Sequence, residues 1–448
     1  MNFIVDKQTL DDLHIFGKRG NSIYQLFNTT QTRGGAQQLE EMFMYPLADG
    51  EKISRRSAVI QYFSKQQPAF PFRNEVFDAI EHYLENADER TKIDASDDTL
   101  QRKLRNMVGA DTEFEQLHKG ILAAIELVNN LHNWLWQLNM QQAPFAWQSA
   151  VIDMQRLLAT EQLAWMYDEK FTKKLAYAKV AQYDQVLRFT HSDVIKKLLY
   201  HIYAIDVYIA VSKVAAARNF TFPVALNTTE NTLRITDMYH PFVPNAVANS
   251  LQVDRNSNVI FLTGANMAGK STFMKTLGVT LFLAHMGFPV PAKQMEFTVQ
   301  EGLFTTINLA DNLNMGYSHF YAEVLRLKKV AEHVNRAGNM VIIFDELFRG
   351  TNVKDAYDAT MAVTTAFAEK RNCTFIISTH IIEAGEELRK TCDNINFVYF
   401  PTIMNGPMPT YTYRLALGIT NDRHGMMIIN NENIIGIIKS RQQSLKTV

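Results

Sequence analysis

The sequence predicts an all-α segment followed by an α/β domain built on a mainly parallel sheet, and three observations carry that reading. Residues 53–217 hold few glycines and little β-branched alternation, while apolar side chains recur at helical spacing, as in Ile121, Ile125, Val128, Leu131 and Leu135. Further on, apolar runs of strand length at 259–263, 340–344 and 374–378 are separated by helical stretches, the pattern of parallel strands joined by helical crossovers. The first of these runs leads directly into a glycine-rich loop at 264–271.

Length and punctuation place the boundaries. A chain of 448 residues exceeds one ordinary core, so two or three domains are expected. The texture changes between Phe220 and Ile235, where Pro223, Asn227, Thr228 and Thr229 end the helical stretch, which predicts a helical domain over 1–222 and an α/β domain over 223–448. Within the first, Pro68 and Pro71 should break one helix and Pro144 another, and 94–98 reads as a turn or cap. Within the second, residues 396–401 and 410–415 flank 405–409 and predict a hairpin on the sheet edge. The 12-residue apolar stretch 279–290 contains His285 and is well short of the roughly 20 residues a bilayer requires, so a buried helix and no membrane segment are expected.

Composition narrows the class. With 47% hydrophobic and 20% charged residues the chain can bury enough apolar surface to fold, leaving only the tail 439–448 as a candidate for disorder. Forty-five Lys and Arg against 46 Asp and Glu give a net charge of -1, which excludes a simple basic nucleic-acid coat and makes any DNA contact a local one. Cys373 and Cys392 alone cannot make a disulfide framework and fit a reducing compartment. The first 13 residues carry acids and no secretory signal, so the chain is expected to start as a mature protein and to be cytoplasmic.

The chemistry concentrates at the ends of the three apolar runs. Gly264, Ala265, Asn266, Met267, Ala268, Gly269, Lys270 and Ser271 complete the pattern Gly-x-x-x-x-Gly-Lys-Ser, between a strand and a helix. The glycines let backbone N–H groups and the following helix N-terminus face phosphate oxygens, Lys270 adds a point charge, and the Ser271 hydroxyl suits magnesium. The run 340–344 ends in Asp345 and Glu346, and in a parallel sheet that end lies beside the loop. There Asp345 would hold magnesium through water and Glu346 would be free to orient an attacking water, although such a pair also suits a helix cap. The third run is followed by Thr379 and His380, whose imidazole would hydrogen-bond a terminal phosphate. Ser318, after Asn314 to Tyr317, reads as a helix N-cap or as a second anion-binding helix end that meets the nucleotide of a partner subunit.

On these residues, 259–388 resembles the ATPase domain of the MutS mismatch-repair family, within the ABC class of P-loop ATPases. Leu262 to Thr272 resembles that family's phosphate loop, with the Asn266-Met267 pair the most diagnostic part, and Phe344 to Thr351 resembles its acid strand and following loop. Ser378-Thr379-His380 resembles the family's histidine switch, and Ser318 to Glu323 the segment that crosses the dimer. Upstream, Gly20 to Thr30, Gly34, Gly35 and Tyr45-Pro46-Leu47 look like the start of the family's helical core or lever domain. Ile205-Asp206, Phe220 to Pro223 and His240-Pro241 look like that domain's end and the entry to the ATPase domain.

The resemblance implies an ABC-type P-loop ATPase domain of α/β fold preceded by an all-α lever or core domain, with ATP and Mg2+ as ligands. It implies phosphate contacts from Gly264, Asn266, Met267, Ala268, Gly269, Lys270, Ser271 and Thr272, and metal contacts from Ser271 and Asp345. Catalytic roles fall to Glu346 and His380, and Ser318 would act across a homodimer with composite sites. DNA is the implied partner, with repair proteins beside it and no membrane.

The departures are also specific. On this resemblance the sequence is expected to open at the lever, without the family's mismatch-reading and connector domains or the Phe-x-Glu wedge, so direct mismatch recognition is not expected of it. Ala265 stands where the family usually has Pro, and Ala246-Val247 occupy the position of an adenine-stacking aromatic. Lys354-Asp355-Ala356 replaces Tyr-Asp-Gly, and residues 53–220 leave a DNA-embracing clamp short or absent.

Two function classes follow: a dimeric MutS-like ATPase coupled to DNA in mismatch repair or recombination, and an ATP-gated interaction module acting on ribosomes or protein partners with little DNA affinity. A transporter ATPase half is a third, disfavoured by Asn266-Met267. Arg102, Lys103, Arg105, Lys173 and Lys174 could contact phosphates, though charge runs are usually solvated faces.

Overall fold

The computed structural model describes residues 3–17, 22–93, 112–169, 175–228, 230–307, 319–336, 338–405, 408–420 and 433–443. Residues 94–98, Arg102, Lys103, Arg105, Lys173, Lys174, Asn314 to Ser318 and residues 444–448 of the tail lie outside them. The chain forms two compact units, one of Phe27–Met42 and Ala58–Ala216, the other of Met1–Leu26, Phe43–Ser57 and Ala217–Val448.

The first unit is helical among its described residues, with long helices at Thr112–Gln137 and Ser192–Arg218. Prolines act as expected: the helix Gly50–Gln66 stops before Pro68, the next starts at Asn74, and Pro144 is the N-cap of Phe145–Leu158. Ile121, Ile125, Val128, Leu131 and Leu135 all lie in the core, with Phe63 edge-on to Trp147 at 5.0 Å. Ser192–Arg218 is apolar and long enough to cross a membrane, yet 67% of its most apolar window is buried in the protein. Asp206 lies within that window and accepts hydrogen bonds from Thr32 N at 2.8 Å and Thr32 Oγ1 at 2.7 Å. A Cβ on Gly35 would stand 2.5 Å from the same carboxylate, so the paired glycines and the Ile205-Asp206 motif, distant in sequence, form one joint.

Twelve strands are described in the second unit: β1 (Val224–Leu226), β2 (Leu233–Met238), β3 (Asn249–Val253), β4 (Val259–Gly264), β5 (Gln294–Thr298), β6 (Gly302–Thr306), β7 (Met340–Phe344), β8 (Thr374–Ser378), β9 (Ile395–Phe400), β10 (Thr402–Asn405), β11 (Met408–Tyr411) and β12 (Ala416–Leu417). Six of them form the main sheet in the order β12-β9-β4-β8-β7-β6, parallel except for β12. Strands β4, β6, β7 and β8 are buried along their whole length, as strands covered on both faces should be, and this is an α/β domain with a mainly parallel sheet. A second, mixed sheet runs β1-β5-β2-β3.

Two expectations change. The hairpin is β10–β11, a separate two-stranded ribbon, whereas β9 pairs in parallel with β4 and belongs to the main sheet. An isolated apolar run carries no record of which distant strand it pairs with. The boundary at 222 also fails to describe the second unit, which includes Met1–Leu26 and Phe43–Ser57. The reason is pairing across the sequence: Ile4 bridges Gly302 in parallel, Asp12 accepts from Thr305 Oγ1 at 2.8 Å and Ile307 N at 2.9 Å, and Phe3 stacks on His285 at 4.2 Å.

Candidate functional site

The order β4-β8-β7 sets three strand ends side by side at one edge. Leu262 is in register with Ser378, and Phe344 with Ile377, so the residues following each strand emerge together. Ligand sites of open parallel sheets form outside such carboxyl ends.

At the end of β4 the chain turns into the helix Lys270–His285 through Gly264 (φ +142°) and Gly269 (φ +106°). L side chains avoid these angles, and space is short as well: a Cβ on Gly264 would meet the Phe400 backbone at 3.3 Å, one on Gly269 the Tyr413 ring at 3.2 Å. Met267, at φ +67°, is an exposed non-glycine residue in the same region, while Ala268 is buried. Lys270 is only 5% exposed, and its Nζ donates to the carbonyls of Gly264 at 2.9 Å and Ala265 at 3.2 Å. Burial pulls its pKa down, against the raising effect of Glu346 and Asp345.

Asp345 and Glu346 follow β7 as predicted, and the backbone does not simply continue. Asp345 N still donates to Thr306 O at 2.9 Å, extending the ladder, whereas Glu346 takes φ +52° and turns the chain out of the sheet. Ser271 Oγ donates to Asp345 Oδ2 at 2.5 Å. Asp345 Oδ1 and Ser378 Oγ are both buried at this edge. Burial raises the Asp345 pKa, with hydrogen bonds from Ser271 and Ser378 acting the other way.

Glu346 is not free. Its Oε1 lies 2.6 Å from His380 Nε2 and its Oε2 3.1 Å from Arg349, and the hydrogen bond to His380 is the main cause that lowers its pKa. His380 therefore meets Glu346 at this edge; it lies outside the lining of the adjoining cavity, which Glu346 reaches.

That cavity measures about 550 Å³. Its lining includes Ala265, Asn266, Met267, Gly269, Lys270, Ser271 and Thr272 of the loop, together with His240, Ala246, Val247, Asn249 and Tyr413. The fold thus brings the predicted residues of 264–272, Asp345, Glu346 and His380 together, and Ser318 lies outside the described residues. Sequence reasoning named Ser378 and Arg349 only within longer segments, with no role of their own, and did not name Tyr413. Arg349 had a signal, three residues after Glu346, but Tyr413 had none, since only the tertiary fold brings its ring over Gly269.

The family description MutS domain V matches residues 260–447, the stretch that holds the loop, the acid pair and the histidine. Relatives named DNA mismatch repair protein MutS are 28% identical over 58% of the chain in Persephonella marina, 31% over 56% in Macrococcus caseolyticus and 26% over 64% in Chlamydia muridarum. Residues 260–447 are similar to the MutS family in this domain. The chain covers 31%, 30% and 36% of those three proteins, so it spans about a third of their length.

Proposed function

We propose that this chain binds ATP in the cavity beside residues 264–272 and hydrolyses it with magnesium, at sites shared within a homodimer, in a cycle coupled to DNA in mismatch repair or recombination. The names of its relatives support the repair context. One juxtaposition supports the chemistry above all: Lys270 and Ser271, Asp345 and Glu346, and His380 stand at three adjoining strand ends.

On this reading the loop N–H groups and Lys270, released from the Gly264 and Ala265 carbonyls, hold the phosphates. The Ser271 hydroxyl and the Asp345 carboxylate, which already meet, would hold magnesium. When bound, magnesium would neutralise charge on the phosphate oxygens.

Glu346, kept ionised by its hydrogen bond with His380, orients the attacking water once that bond opens. The new O–P bond forms at the terminal phosphorus, the bridging P–O bond breaks to leave ADP, and the water proton passes to the Glu346 carboxylate. His380, released by the same opening, turns to a phosphate oxygen. The Ser318 loop of a second copy would complete each site.

Glu346→Gln should retain ATP binding and lower magnesium-dependent turnover by roughly 100-fold or more, the scale of a lost general base. Unchanged turnover would reject the role of Glu346. For the DNA half, affinity for duplex and branched DNA should fall steeply with salt. The net charge of -1 favours a second reading, an ATP-gated module acting on ribosomes or protein partners. Undetectable DNA binding at low salt by an ATP-hydrolysing chain would select it.

A further inference from the structure

We infer that Arg326, with Asp6 opposite it, is a positioning residue for the shared site: it sets the helix His319–Arg336, which begins at the residue after Ser318, against the end of β6. The inference rests on the shared-site reading above.

Arg326 is charged yet only 8% exposed. Its Nε donates to Thr306 Oγ1 at 3.1 Å and its Nη2 to Thr305 O at 2.7 Å. Nη1 and Nη2 pair with the Asp6 carboxylate, and the guanidinium lies over the Phe304 ring at 5.4 Å. One side chain therefore joins the last residues of β6, the helix and the N-terminal segment. Residues 308–318 run in sequence from β6 to that helix, so the guanidinium fixes the spacing between the two ends of the stretch that carries Ser318. The Thr306 carbonyl in turn accepts from Asp345 N at 2.9 Å, which puts the grip one strand away from the acid pair.

Position, more than stability, is what such a grip supplies. Phe320, Val324, Leu327, Val330 and Val334 pack the apolar side of the helix on the core, and apolar contact is non-directional. A guanidinium fork is directional: its donors share one plane, and a shift of about an ångström breaks bonds to separate acceptors. A buried ion pair also adds little net stability over an apolar pair of the same size. Asp6 is itself held in place as the N-cap of the helix Lys7–Asp12, where it accepts from Thr9 N at 3.1 Å. The loop offered to a second copy thus takes its bearing from the same strand end that carries this copy's own acids.

The test is complementation between variants of the full chain, read as ATP turnover in magnesium. Asp6→Leu combined with Arg326→Met swaps the pair for apolar side chains of similar size. Its thermal midpoint should hold while turnover falls roughly 10- to 100-fold, the scale of a small misplacement. Arg326→Lys, which keeps the charge and loses the fork, should lower turnover as well. Glu346→Gln lacks its own general base but offers an intact Ser318 stretch. Mixed in equal amounts with the double variant, it should restore about a quarter of the unaltered rate, because about half of the dimers are mixed and each of those holds one complete site. Ser318→Ala mixed with Glu346→Gln should restore as much. Full turnover in the double variant alone, or restoration with Ser318→Ala but not with the double variant, overturns the role of Arg326 and leaves the shared site standing. Restoration in neither mixture overturns the shared site and this inference with it. Absence of turnover in the unaltered chain overturns the ATP reading as well.

Discussion

His285 ends the helix Lys270–His285 in full burial, and its hydrogen bonds determine where its proton sits. Nε2 accepts from Gln300 N at 3.0 Å, which leaves the proton on Nδ1 to donate to Leu281 O at 2.9 Å. Burial pulls its pKa down to about 4, against the slight raising effect of those backbone bonds. Because an unfolded histidine binds a proton near pH 6.5 and this one does not until about 4, the unfolded state gains protons first, and stability falls as pH drops through that window. The contribution of His285 alone should be roughly 3 kcal/mol across it. Denaturant midpoints measured between pH 7 and 4 should decline, and His285→Gln should flatten the slope; an identical slope in the variant rejects the assignment. The Glu346–His380 pair carries the opposite purpose at the same scale. Its lowered carboxyl pKa keeps Glu346 ionised at neutral pH, and its partial exposure leaves it able to part.

Among the elements, the short helix Lys7–Asp12 does more than its six residues suggest. Asp12 accepts from Thr305 Oγ1 and Ile307 N, Thr9 Oγ1 accepts from Thr305 N at 3.0 Å, and Asp6 pairs with Arg326 and, at 3.0 Å, with Lys329. This segment thus covers the outer edge of β6, whose other edge pairs with β7, and ties in the helix His319–Arg336 that follows. Asp12→Ala would leave the Ile307 N–H and the Thr305 hydroxyl without their acceptor, a loss of about 1–3 kcal/mol. Thermal unfolding should register it as a lowered midpoint, and an unchanged midpoint would mean water replaces the carboxylate. The helix Lys270–His285 shows the complementary case. From Phe273 to His285 nearly every side chain is buried, as expected of a helix covered all round, and so the stretch 279–290 read correctly as interior.

For the whole molecule, the proposed cycle predicts association controlled by nucleotide. If ATP closes a dimer with shared sites, Glu346→Gln, which binds without turning over, should sediment at twice the chain mass of 51.2 kDa with ATP and magnesium and at lower mass without. A mass indifferent to nucleotide would remove the shared-site part of the proposal. The helical unit contributes an extended apolar core and a buried ion pair, Asp184 with Arg188, in which Tyr83 also donates to Asp184 at 2.9 Å. Such a pair is costly to break and so holds local geometry more than it adds stability.

The sequence by itself determined the elements and the chemistry of the strand ends. Periodicity marks the helices of 53–217 and the buried strands β4, β7 and β8, and the residues that follow those strands are set by covalent order alone. It could not order the strands: β9 joins the main sheet instead of forming the hairpin, and residues 1–26 pack with the C-terminal unit, because both depend on partners far along the chain. Nor could it show that Glu346 is already held by His380, or that Tyr413 stands over Gly269. A motif fixes which groups are present within a few residues of one another, whereas distances between segments well separated in sequence exist only once the sheet has assembled.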